Sequence, residues 1–295
     1  LPKKVTSFLN DNDKKVVAQN FLSLLVLQGA NYILPLLILP YLVRVLGAEK
    51  FGLVMFAQSL AIFLTVFVDF GFNISGTREI SLARNDKEKT GQIFLAIMII
   101  KVVLIVIALG ILFFIVSIFS RFSVDAEIYL LSFGVVIGQA LFPVWFFQGI
   151  EKMKVVTFIN ILAKVIFTLL VFILINTQAD YYKVPIYNSL GFIVSGFIGF
   201  IMSFKYIKFK YPTLSLIKQL VKESSSLFVS NFATSMYTAS NVFILGLFSG
   251  NVIAGVYSSM EKLILAVKNV YVPLYQALYP WVARQNDKDK GEIIK

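Results

Sequence analysis

Apolar residues in this chain come in long unbroken blocks, and polar residues come in short joints between them. Blocks of about 18 or more residues with few charges read as membrane-spanning helices. Eight spans are predicted, near 17–45, 51–75, 92–119, 128–149, 155–175, 185–204, 225–247 and 252–279. The joints between them include "LGAEK", "TREISLARNDKEK", "SRFSVDAE", "GIEKMK", "NTQADYYK" and "FSGN". The expected fold class is an all-α polytopic membrane protein, whose backbone polar groups are satisfied within helices.

Orientation follows from lysine and arginine in the joints. With the N-terminus in the cytoplasm, nineteen of the 27 basic residues fall on the inner side and four on the outer side. The remaining four, Lys101, Lys164, Lys262 and Lys268, fall inside spans. The joint after the sixth span differs from the others. In "PTLSLIKQLVKES", Leu214, Ile217, Leu220 and Val221 share a helical face beside Lys218 and Lys222. It reads as an amphipathic helix on the inner surface or, more simply, as a solvated loop helix.

A repeat supports a boundary there. "SLLVLQGANYILPLLILPYLVRVLGAEKFG" (23–52) aligns at constant offset with "SLFVSNFATSMYTASNVFILGLFSGNVIAG" (226–255). Gly47 and Gly52 fall on Gly250 and Gly255, Gln28 on Asn231 and Asn31 on Thr234. The expected organisation is a six-helix bundle (1–210), a linker helix (211–224) and the first two helices of a related second bundle (225–295).

Charges inside spans are costly, about 2.5–3.5 kcal/mol for a lysine near the bilayer centre. Thr157, Asn160, Lys164 and Thr168 lie three, four and four residues apart, on one face of an otherwise apolar helix. Such a stripe lines either a water-filled cavity or a buried hydrogen-bond network. In the eighth span Ser258, Glu261, Lys262, Asn269 and Gln276 share a sector, with Lys268 at its edge. That sector reads either as part of the same cavity or as a structural Glu–Lys pair. In the first span Gln28 and Asn31 precede Pro35 and Pro40, and two prolines imply a bent or broken helix. The candidate cavity residues are thus Asn160, Lys164, Thr168, Glu261, Lys262, Lys268, Gln28 and Asn31. Arg44 and Asp69 lie toward span ends, as interfacial anchors or gate residues. Lys101 has no polar stripe and is expected to snorkel to the inner surface.

Composition narrows the chemistry. The chain is 58% hydrophobic and 15% charged, with neither cysteine nor histidine. Thiolate nucleophiles, disulfides and the commonest metal ligand and general base are therefore missing. The net charge of +11 is mostly an orientation signal, and nucleic acid is not an expected partner. No phosphate-cradling glycine loop or nucleophile elbow occurs. "DND" (11–13) sits in a charged tail and reads as solvated. No metal, cofactor or catalytic residue is predicted. The first block lacks a cleavage site after a short apolar core, so a retained span is expected there and not a signal peptide.

"RVLGAEKFGLVMFAQS" (44–59), "DFGFNISGTREIS" (69–81) and "PVWFFQGIEKMK" (143–154) resemble bacterial polysaccharide-repeat flippases. These form the O-antigen (Wzx-type) branch of the superfamily that includes multidrug MATE exporters and lipid II flippases. Trp145, Gln148, Gly149, Glu151 and Met153 carry the most specific part of the match. The resemblance runs from about residue 16 to 285. Its members have two six-helix bundles, so it implies that this chain is the N-terminal two-thirds of a longer protein. It also implies transport of an undecaprenyl-diphosphate-linked oligosaccharide between leaflets of the bacterial inner membrane, by rocking of the bundles. Membrane lipids are expected partners and the protein is expected to be a monomer. A coupling ion (H+ or Na+, through Glu261 or Asp69) and contact with the polysaccharide polymerase machinery are left open. A small-molecule exporter of the same superfamily is the nearest alternative, but cationic drugs prefer acidic pockets. A membrane glycan polymerase or glycosyltransferase would need a catalytic base or metal site and larger outer loops.

Overall fold

The computed structural model describes residues 11–268, with side chains from residue 33 onward except at position 238. The described residues form helices and short turns, without strands. The first helix, α1 (Asp11–Asp69), takes in two of the predicted spans. It is followed by α2 (Phe72–Ala83), α3 (Lys87–Ile118), a single turn α4 (Ser120–Ser123), α5 (Ala126–Leu141) and α6 (Val144–Gly149). Then come α7 (Met153–Leu174), a 3-10 turn (Gln178–Tyr182), α8 (Lys183–Ser203), α9 (Leu214–Phe248) and α10, helical over 251–268.

Five described segments are long and apolar enough to cross a membrane: Ile33–Ala83, Lys87–Ile118, Ala126–Gly149, Met153–Leu174 and Gln178–Ser203. The protein is thus an all-helical polytopic membrane protein. The first of these takes in two of the predicted spans, and the predicted eighth span (252–279) extends beyond the described residues. "LGAEK" contains strong helix formers and a single breaker, so helical backbone runs on both sides of Gly47. Gly47 is left-handed (φ 71°) and interrupts the helix. Ile38, Leu39, Leu42 and Leu46 before it share a core with Phe51, Val54 and Met55 after it, so the chain doubles back there. The prolines do not break the helix: Pro35 and Pro40 both retain helical geometry, and the interruption lies at the glycine.

The second expected hairpin is built the same way. α9 ends at Ser249, Gly250 is left-handed (φ 88°), and α10 follows. Gly47 and Gly250, equivalent in the repeat, thus carry the same backbone device. The other repeated pair makes the contact between the hairpins. A Cβ on Gly52 would lie 1.8 Å from the Asn251 carbonyl oxygen, and one on Gly255 would lie 2.8 Å from the Gly52 Cα. Only glycine permits that approach. The expected linker helix and the seventh span are one continuous helix, α9, whose Leu220 is fully buried. Leu216, Ile217 and Val221 pack on the same core as Phe94, Trp145 and Phe147. Arg121 on α4 reinforces the seam at the Gly250 end. It donates to the Gly246 carbonyl (2.8 Å) and to Asn251 Oδ1 (2.5 Å), with its guanidinium 5.2 Å from the Phe56 ring centre.

α5 and α7 both pack along α8. Glycines thin that contact: a Cβ on Gly138 would meet the α8 backbone at Phe192, and one on Gly191 the Ala163 carbonyl. Gly52→Ala should therefore lower the thermal unfolding midpoint of the protein in detergent, at a cost of about 1–3 kcal/mol for overpacking. Gly110→Ala, where a Cβ meets nothing within 4 Å, should not lower it. Equal midpoints for Gly52→Ala and the unsubstituted protein would remove the glycine contact from the account.

Candidate functional site

α2 continues the path of α1 beyond a two-residue break. Phe70 (φ 49°) and Gly71 (φ 80°) are both left-handed, so Asp69 ends one helix just before the next begins. The Asp69 carboxylate accepts the Asn73 backbone N–H at 3.4 Å, at the amide-rich start of α2. Its other oxygen accepts from Lys101 Nζ at 3.2 Å. The pair is well buried, with 4% of the Lys101 side chain and 17% of the Asp69 side chain exposed.

This corrects one expectation. Lys101 does not snorkel but pairs with Asp69, and Asp69, at the end of its helix, holds that cation. Lys101 is the fifteenth of the 32 residues of α3. Asp69 and Lys101 each lie sixteen positions from residue 85, in the joint between α2 and α3. At about 1.5 Å per residue, both are some 24 Å from that joint, opposite one another across an antiparallel hairpin.

The Lys164 stripe divides between two chambers. Lys164 is the twelfth of the 22 residues of α7. Lys164 and Thr168 line a cavity of about 210 Å³ together with Gln58, Met55, Asn188 and Lys262. The two lysines come from α7 and α10. Lys262 Nζ lies 2.9 Å from Met55 Sδ, a weak acceptor, and Lys164 has no ion-pair partner among the described residues. No carboxylate lines this cavity. Asn160 faces a second chamber of about 90 Å³ with Asp69, Lys101, Thr65 and Gln139. Its amide donates to the Val156 carbonyl at 2.9 Å. A third chamber of about 530 Å³ lies against α9 and holds Gln58, Asp69, Asn188, Asn231 and Ser235. Phe192 of α8 borders all three.

Other candidates lie elsewhere. Glu261 is half-buried and lines none of these chambers, and it forms no ion pair with Lys262. Lys268 is exposed, as is Arg44, three residues before the Gly47 turn. The side chains of Gln28 and Asn31 lie outside the described residues, as do Asn269 and Gln276.

Gln58, Thr65, Gln139 and Asn188 were not singled out in the sequence. A signal existed for two of them: Gln58, Thr65 and Asp69 are seven and four residues apart, on one helical face. Gln139 and Asn188 lie on two other helices, α5 and α8, and only packing brings them to the others.

Residues 17–285 match the model of a family described as "Polysaccharide biosynthesis protein". The chain is 34% identical over 275 residues to a "Putative O-antigen transporter" of Escherichia coli (strain K12), covering 92% of this chain and 66% of that protein. It is 31% identical over 282 residues to a protein of the same description from Shigella dysenteriae, covering 94% of this chain and 70% of that one. No solved structure matches the chain.

Lys101→Met leaves the Asp69 carboxylate buried without its cation, and should destabilise the protein by up to about 3–5 kcal/mol. The double substitution with Asp69→Leu removes both charges and should recover most of that loss. Thermal unfolding of the purified variants reads both. A single variant as stable as the unsubstituted protein would contradict the buried pair.

Proposed function

The chain belongs to the polysaccharide biosynthesis protein family, and on that premise we propose that it transports a lipid-linked oligosaccharide across the bacterial inner membrane. The cargo is an undecaprenyl-diphosphate-linked repeat unit, moved from the cytoplasmic to the periplasmic leaflet. One observation carries this reading: Lys164 of α7 and Lys262 of α10 line one cavity that has no carboxylate.

The physics of the cargo explains why that arrangement is useful. The lipid tail can stay in the bilayer, while the diphosphate must cross a medium that solvates charge poorly. Two unit charges about 4 Å apart at an effective dielectric of 20 attract by about 4 kcal/mol. Two ammonium groups without a competing carboxylate therefore offset part of the desolvation of the diphosphate. A small-molecule exporter of organic cations would place its charges the other way round.

Orientation and mechanism belong to the same proposal. The lysine and arginine bias puts the N-terminus in the cytoplasm. Residues 1–210 and 225–295 act as two related units joined by 211–224, and rocking between them exposes the cavity to each side in turn. The work is transport and not catalysis. Asn160 and Thr168 contribute polar lining beside Lys164, and Arg44 lies at the Gly47 end of its helix, where a gate would be. The chain spans 66% and 70% of its two relatives, so the test uses the protein expressed from its complete coding sequence.

The combined Lys164→Ala and Lys262→Ala variant, in a host lacking its own transporter, should reduce surface glycan at least about tenfold. That corresponds to about 1.4 kcal/mol, less than one charge-assisted hydrogen bond contributes. Membrane levels of the variant, read by immunoblot, should be unchanged. Full export by the double variant would overturn the role of the cationic cavity.

A further inference from the structure

The largest chamber has a lining that the cationic cavity does not explain. Gln58, Gln139 and Asn188 are half-buried, and their amides form no hydrogen bond to any described residue. Each amide offers two donors and an acceptor with two lone pairs. Groups of this kind at membrane depth must find water or a ligand, because hydrocarbon supplies no partner. Asn231 and Ser235 of α9 face the same space. Asp69 lines it as well, its carboxylate held by Lys101, which lines the neighbouring smaller chamber, and by the Asn73 N–H. The aromatic ring of Phe192 borders the space as well.

Unpartnered amides, a carboxylate held in place and an aromatic residue are the complement of a sugar. A pyranose presents many hydroxyls, each both donor and acceptor, and one apolar face of C–H groups. The volume of about 530 Å³ falls within the about 300–1,000 Å³ usual for small-ligand sites.

We infer that the protein divides its cargo between two compartments: the amide-lined chamber around Gln58, Gln139 and Asn188 holds the neutral sugars, and the Lys164–Lys262 cavity holds the diphosphate. Gln58, Asn188 and Phe192 border both spaces and mark the junction where sugar meets phosphate. Gln139 and the α9 residues are then the positions at which one sugar is preferred over another. This inference rests on the transport reading above.

The chain has no cysteine, so single thiols report each compartment cleanly. Gln139→Cys and, as a second probe, Ser235→Cys sample the sugar chamber, and Thr168→Cys samples the cationic cavity. The protein, from its complete coding sequence and in detergent, is treated with a small hydrophilic methanethiosulfonate. Two ligands compete: the reducing oligosaccharide released by mild acid from the host's lipid-linked repeat units, and inorganic pyrophosphate. The expected result is a slowing of at least threefold at 139 and 235 by the oligosaccharide, with little effect at 168, and the reverse for pyrophosphate. Protection of 168 by pyrophosphate with no effect of the sugar at 139 or 235 would overturn the sugar chamber and leave the transport reading standing. Equal protection of all three positions by the sugar would overturn the division. No protection anywhere would count against both.

Discussion

A charge at membrane depth must have a partner or a polar cavity, because hydrocarbon supplies neither hydrogen bonds nor dielectric screening. This chain uses both solutions. Asp69 and Lys101 neutralise one another across the α2–α3 hairpin, with the start of α2 adding a backbone donor. Lys164 and Lys262 share a cavity that no carboxylate lines. The helices between these sites carry the uncharged polar residues that connect them. Gln58, Thr65 and Asp69 run down one face of α1, so a single helix borders all three chambers.

The surrounding packing holds α1 and α2 against α9 and α10 on either side of that polar interior. At the Gly250 end, Gly52 and Gly255 bring two hairpins to backbone contact, and Arg121 spans the seam. At the other end, the break after Asp69 sits directly against α9. A Cβ on Gly71 would lie 3.0 Å from the Phe228 nitrogen, Phe70 stacks on Phe228 at 4.9 Å, and Ser75 pairs with Ser224 at 2.7 Å. The ion pair and the inter-unit contact therefore share one strained stretch of backbone. A change at either is felt by the other, since left-handed Phe70 persists only where its surroundings hold it.

Much of the fold was legible in the sequence because it rests on local signals. Apolar blocks gave the helices, and Gly47 and Gly250 gave the two turns in a matched repeat. The continuity of α9 through its amphipathic start was not legible, because polar residues end a membrane span without ending a helix. For the site, the spacing of Asn160, Lys164 and Thr168 pointed to a polar face on one helix. It did not show that Asn160 would face a different chamber from the other two. Lys101 was misjudged because its neighbours on its own helix are apolar, while its partner lies on another. The equal distances of 69 and 101 from the joint were there to be read, but only once the helices on both sides of the joint are known. Glu261 illustrates the converse: one residue from Lys262, it lines none of the chambers, since neighbours on a helix point about 100° apart.

The central claim is that Lys164 and Lys262 together carry the diphosphate of a lipid-linked glycan across the membrane. The most direct measurement is transbilayer movement of a fluorescent short-chain polyprenyl-diphosphate oligosaccharide in proteoliposomes holding the purified protein from its complete coding sequence. The account predicts movement well above that in protein-free vesicles, and a return to the protein-free rate when both lysines are alanine. Movement by the double variant as fast as by the unsubstituted protein, or none by the unsubstituted protein itself, would contradict it.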